Sequence, residues 1–195
     1  MKLRASLAGF AAAAVVAAAA PVLAQTAMGQ LMSASSNPMV GGHAMMSNKD
    51  IVSNAVNSDD NKTLVAAVKA AGLVSTLQGA GPFTVFAPTD EAFSALPAGT
   101  VDTLVKPENK ATLTKILTYH VIAGKLDYAA LQAQIKAGNG AAQLKTVQGE
   151  TLTAHANGPR NIVLVDAKGN VAHITTYDVY QSNGVIQVID RVLSP

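Results

Sequence analysis

Beyond residue 48 apolar positions recur at helical spacing, and in the last third of the chain they alternate. Ile51, Val52, Ala55 and Val56 share one helical face, and Leu64, Val65, Val68 and Leu73 share another. Asn57-Ser58-Asp59-Asp60 divides the two and offers N-cap candidates for the second helix, with Gly72 as its stop. Phe83-Thr84-Val85-Phe86 is a short run of β-formers that Pro88, lacking an amide hydrogen, brings to an end. Thr89 then caps a helix with Asp90 and Glu91 in its first turn, where acids suit the helix dipole, and with Ala92, Phe93 and Leu96 on its apolar face. A further helix starts near Pro107, turns Leu113, Ile116 and Leu117 inward and runs to about Thr118. Tyr119-His120-Val121-Ile122 reads as extended chain, and Leu126 to Lys136 contains one more amphipathic helix stopped at Gly138.

After Gly140 the pattern changes. Gln143–Val147, Thr151–Ala156, Asn161–Val165 and Val171–Thr175 are short β-rich runs, separated by Gly149-Glu150, Gly158-Pro159 and Lys168-Gly169. Asp178–Ser182 and Val185–Asp190 flank Asn183-Gly184, a strong hairpin signal that predicts left-handed backbone at both turn residues. Helices early and antiparallel strands late predict an α+β fold rather than a parallel α/β one. Thr89 and Asp90 are expected to satisfy the free amides where strand becomes helix, and Asp190, polar among Val188, Ile189, Val192 and Leu193, to accept backbone hydrogen bonds or face solvent.

The N-terminal stretch is different material. Lys2 and Arg4 precede an apolar run from Leu7 to Ala20, and Pro21-Val22-Leu23-Ala24 carries small or aliphatic residues where a signal peptidase reads. Residues 1–24 are therefore expected to be a secretory signal peptide cut after Ala24; the run is too short and too rich in alanine for a membrane span. Residues 25–47, with Gly41-Gly42 and Pro38 and no period, predict a flexible or loosely docked arm, and residues 48–195 the folded domain. All methionines other than Met1 fall in the arm, at Met28, Met32, Met39, Met45 and Met46. Met39, His43, Met45 and Met46 form a possible Cu(I) set, although adaptable packing of the arm explains the same residues and no other metal or cofactor is implied.

Composition narrows the function. The chain has 195 residues, 49% hydrophobic, enough for a sizeable core. Its 14 Lys and Arg exceed 12 Asp and Glu only by the number lying in the expected signal peptide, and no basic cluster exists, which argues against nucleic acid and anionic membrane surfaces as partners. The absence of cysteine excludes disulfides and thiol chemistry. Catalytic patterns are missing too: no Gly-x-Ser-x-Gly elbow occurs, and His155 and His173 sit on separate strands without zinc spacing, though a hairpin would let them face each other. Asn61-Lys62-Thr63 matches a glycosylation sequon.

Three segments carry a resemblance. Gly81–Phe93 (GPFTVFAPTDEAF), Leu117–Leu126 (LTYHVIAGKL) and Ser182–Pro195 (SNGVIQVIDRVLSP) resemble the two boxes and the intervening Tyr-His segment of the fasciclin (FAS1) domain family. A single such domain behind a signal peptide is similar to small secreted bacterial fasciclin-like proteins related to mycobacterial secreted antigens. The resemblance implies a β-wedge of two mostly antiparallel sheets flanked by helices, export to the periplasm, cell surface or medium, and a non-catalytic role in adhesion through an extracellular or cell-surface protein or matrix component. It also makes Tyr119 and His120 candidates for partner binding, beside the plain alternative of a buried imidazole bonded to backbone. Gln187 stands where the family often has histidine. A second function remains open, a soluble carrier of a small apolar or pigment ligand in a pocket between the sheets near Ile162, Leu164, Ile174 and Ile186.

Overall fold

Strands β3 (Phe83–Pro88) and β9 (Gly184–Ile189) lie side by side at the middle of the sheet, buried on both faces, which is why apolar residues occupy both faces of each rather than strictly alternating with polar ones. A computed structural model describes residues 37–195; the expected signal peptide, Met28 and Met32 lie outside the described residues. β3 and β9 pair in parallel, from Phe83 opposite Gly184 to Pro88 opposite Ile189. Around them runs a seven-stranded sheet in the order β4-β3-β9-β8-β7-β6-β5, with β4 Val121–Ala123, β5 Ala141–Lys145, β6 Thr151–Ala156, β7 Ile162–Val165 and β8 Val171–Gln181. Every pairing except β3–β9 is antiparallel.

The two runs expected on either side of Thr176 are one strand. β8 pairs β7 through Val171–His173 and β9 through Ile174–Gln181, and its register against β9 shifts twice, with Asp178 in left-handed backbone (φ 57°). A bulge of this kind bends a strand, so β8 serves both arms of the wedge. The far ends of the sheet meet as well. Ile122 bridges Thr146, and the Val147 amide donates to the Val121 carbonyl at 2.8 Å.

Helices cover one side of the central strands. α1 (Ile51–Ala55), α2 (Lys62–Ala71), α3 (Val74–Leu77), α4 (Asp90–Ser94), α5 (Thr100–Leu104) and α6 (Lys110–Tyr119) precede or follow β3, and α7 (Tyr128–Ala137) leans on β5 and β6. α3 and α5 are single turns too short to register as a period in the sequence. Asp50 and Asp127 cap α1 and α7 through the amides of Ser53 and Ala130, both at 2.9 Å. Two cores result. One fills the space between the helices and the Val85/Ala87/Ile186/Val188 face of β3 and β9. The other fills the wedge, where Phe86 and Ile189 from the opposite face meet Leu131, Leu144, Leu152 and Leu164.

Residues 37–47, expected in the arm, pack with the domain. Met39–Val40 (β1) and His43–Ala44 (β2) form a hairpin turned by Gly41 and Gly42, both at positive φ, and Val40 and Met45 enter the helix-side core. A side chain at Gly41 would overlap the backbone of Asp59 and Asp60.

Candidate functional site

Tyr119 and His120 stand where the two cores meet, and both are buried (0% and 2% exposed). Instead of extended chain, Tyr119 is the last residue of α6 and His120 its αR C-cap, so β4 begins only at Val121. The Tyr119 hydroxyl donates to the Thr151 carbonyl at 3.2 Å and accepts from the Ala167 amide at 3.1 Å, joining the start of β6 to the β7–β8 turn. Burial raises the pKa of that phenol above its usual range.

His120 is fixed as one tautomer. Its Nδ1–H donates to the Ile116 carbonyl at 2.8 Å, leaving Nε2 to accept the Leu193 amide at 3.0 Å. Its own carbonyl accepts the Phe86 amide at 2.9 Å. Burial pushes its pKa down to about 4, against the Ile116 bond and the charge of Asp166, so the ring is neutral at physiological pH. Both nitrogens and the phenol are committed to backbone, and neither side chain reaches solvent. Tyr119 and His120, named as contact candidates, are thus buried and bonded to backbone, the arrangement that the buried-imidazole alternative describes.

A third member escaped the sequence reading. Asp166, in the β7–β8 turn, accepts from the amides of Lys168 (2.9 Å), Asn170 (2.8 Å) and Ser194 (2.9 Å) and from the Asn170 carboxamide (2.9 Å). Burial would raise its pKa, yet these donors outweigh it and hold the carboxyl below the usual range. The Asp-Ala-Lys-Gly spacing of a turn was the available signal; the reach to Ser194 had none. His120 and Asp166 together fasten the C-terminal segment, whose Leu193 fills the wedge core.

The other end of β9 holds a second node. Asn183 Oδ1 accepts the Ile51 amide at 3.1 Å, and its Nδ2 donates to the carbonyls of Leu77 (2.7 Å) and Gly79 (3.0 Å). Neither Asn183 nor Gly184 adopts left-handed backbone, so the expected turn geometry is not the reason for them. Glycine is required at 184 because a Cβ there would overlap the Phe83 carbonyl, and Asn183 is required as a clamp between α1, α3 and the hairpin.

Thr89 caps α4 by accepting the Ala92 amide at 3.3 Å. Asp90 serves a different helix: its carboxylate accepts the amides of Thr63 (2.9 Å) and Lys62 (3.3 Å), capping α2 from 27 residues away, where Asn57–Asp60 were the expected caps. Asp190 is partly exposed and also bonds backbone, accepting the His173 amide at 2.7 Å and the His173 ring Nδ1 at 3.0 Å. Gln187 is fully buried. It donates to Leu126 O and Asp178 Oδ1 and accepts the Asp178 amide at 3.1 Å, holding the β8 bulge that presents Asp178 to the α7 amide of Tyr128.

The remaining candidates are dispersed. Met45 faces the core, Met39 and Met46 are exposed, and His43 contacts Asp59 at 3.2 Å. His155 and His173 share the outer face of the sheet but are separated by Val163 of β7, so they do not oppose each other. Asn61 of the sequon is buried and donates to the Pro88 carbonyl at 3.0 Å. Ile162, Leu164 and Ile174 pack inside the wedge, while Ile186 points to the helices.

The Fasciclin domain model matches residues 59–195, which contain the buried Tyr-His node, both boxes and the C-terminal fastening. The chain belongs to the fasciclin domain family. It is 44% identical to protein sll1483 of Synechocystis over 87% of this chain and 86% of that protein. It is 36% identical to the immunogenic protein MPB70 of Mycobacterium bovis over 95% of this chain and 93% of that one. Among solved structures, a FAS1 domain pair from the insect cell adhesion molecule fasciclin I superposes with a TM-score of 0.65 at 17% identity. That match covers 75% of this chain and 51% of the insect one, so the chain spans about half the length of the pair. The likeness confirms the α+β FAS1 fold, with strands late in the chain.

Proposed function

We propose that this fasciclin-family protein is an exported, non-catalytic binding module that supports adhesion or extracellular protein–protein contact. The observation that carries the reading is the commitment of the family's Tyr-His segment to structure. His120 and Tyr119 spend every polar atom of their side chains on backbone, and so serve a rigid scaffold rather than a reaction. The described residues contain no group of three or more His, Cys, Asp or Glu side chains placed to hold a metal ion. The insect molecule of the same fold is named for cell adhesion, and the N-terminal sequence supports export to the periplasm, the cell surface or the medium.

Under this reading Tyr119 and His120 influence binding only by holding the wedge, and contact falls on exposed positions such as Val147, Val171 and Tyr180. The test is a capture assay with the full chain on cells or matrix of the source organism, using Val171→Glu and Tyr180→Ala beside Tyr119→Phe. The surface variants are expected to lose capture at unchanged stability, while Tyr119→Phe lowers stability and keeps capture. Retained capture in both surface variants, or a gene deletion that leaves attachment unchanged, overturns it.

A further inference from the structure

The helix-side core is incompletely filled. A cavity of about 50 Å³ lies between α1–α3 and the sheet, floored by Val85 and Ile186 and walled by Ile51, Leu64, Val68 and Leu77. Interiors rarely leave voids larger than a water molecule, and an apolar void stays dry and accepts apolar guests. Ala55, Val65, Leu73 and Val74 line the same space while being only half-buried, so it reaches the surface between the end of α1 and the α2–α3 corner. Of the residues that line the cavity, the charged one is Lys69, which is exposed and makes no ion pair among the described residues; the Lys110 ammonium stands beside Gly72 at the same corner.

Size and charge select the guest. A cavity three times larger, roughly 150 Å³, holds the six carbons of benzene, so this one takes about two or three carbons. An aromatic ring is too wide, whereas the end of an unbranched alkyl chain fits. The positive charge at the mouth selects an acid over an amine. We propose that the cavity binds the terminal carbons of a free, linear fatty acid of short to medium length, with its carboxylate meeting Lys69. This site lies on the opposite side of β3 and β9 from the wedge, and it is independent of the adhesion reading, because a chain that captured no partner would still bind the acid.

The experiment titrates the full chain, labelled at Ile, Leu and Val methyls, with a series of alkanoates from acetate to decanoate, followed by NMR. The methyls of Leu64, Val68 and Ile186 are expected to shift. Affinity is expected to rise about fourfold per added methylene, the equivalent of ~0.8 kcal/mol, and to stop rising once the cavity is full. Ala55→Phe, at the half-buried rim, should abolish the shifts at unchanged Tm; Lys69→Glu should weaken binding at least tenfold. Alkylammonium ions of equal length should not compete. Absence of methyl shifts at millimolar acid, equal binding of the ammonium series, or indifference to Lys69→Glu overturns the proposal. Co-sedimentation with phosphatidylglycerol vesicles in place of acid binding overturns it in favour of a membrane surface.

Discussion

The ring of His120 carries the Leu193 amide on Nε2 at 3.0 Å, linking the end of α6 to the last residues of the chain across 73 positions. Only the neutral imidazole does this, because a protonated ring turns that acceptor into a second donor pointing at an N–H. An unfolded chain protonates the same histidine near pH 6.5, while the folded one resists down to about 4.

Stability should therefore fall as the pH drops from 6.5 to about 4, since the unfolded state takes up a proton that the folded state refuses. Above 6.5 both states are neutral and the effect is absent; below about 4 both are charged and the loss is complete. The full loss is about 3 kcal/mol, on the scale of 1.36 kcal/mol per unit. Urea midpoints measured between pH 7.5 and 4 read this directly. His120→Gln should start lower at pH 7.5 and lose this slope, and a wild-type profile flat across the window would contradict the assignment.

Asp166 acts in the next, more acidic window with the same sign. Its folded carboxyl titrates below the ordinary 3.8, so the stability it lends is whole above 3.8 and is lost as the pH falls through the folded value. Asp166→Asn keeps the shape but replaces an ionised acceptor by a neutral one. We expect a loss of about 1–3 kcal/mol at pH 7, with faster hydrogen exchange at the amides of Asn170 and Ser194. Unchanged exchange at Ser194 would remove Asp166 from the fastening.

Asn183→Ala removes the acceptor of the Ile51 amide and the donor to Leu77 and Gly79, leaving buried backbone groups without partners. A cost of about 2–4 kcal/mol is expected by denaturant unfolding. Gly184→Ala should cost at least as much by forcing β3 and β9 apart, through a contact with Phe83 O rather than through turn conformation. Gly149, with open space around it, is a poorer comparison because its φ is positive; Ser182→Ala, in the same hairpin, should be nearly silent.

Asp90→Ala should cost about 1 kcal/mol and fray the first turn of α2, not of its own helix α4, because its carboxylate caps Thr63. Thr89→Ala should fray α4 instead. Amide exchange at Thr63 and Ala92 separates the two; a shared response at both amides would mean that the caps are not independent.

Much of the fold was legible. The order of helices and strands, the Gly72 stop, the Thr89 cap and the hairpin at residue 183 all follow from side chains within a few positions of one another. What failed was anything whose partner is distant. Asp90 reads as a cap for its own helix, yet it faces α2. Asn183-Gly184 reads as a left-handed turn, yet the pair is needed for a clamp and for close strand approach. The Tyr-His pair reads as a contact candidate beside a structural tie, and its burial where the two cores meet has no local signal. The arm reads as loose because Val40 and Met45 have no period around them; their place in the core comes from a two-residue hairpin set against Asp59 and Asp60.

Taken alone, the residues determined which segments coil, which extend, where they turn, and which lineage of domain they build, since these depend on neighbours along the chain. The three-dimensional structure alone decided that β3 and β9 run parallel, that β8 serves both arms of the wedge, and that a neutral histidine and a carboxylate clasp the C-terminus. Those contacts form only after long loops close, and the packing that rewards closure involves residues that have no local reason to meet.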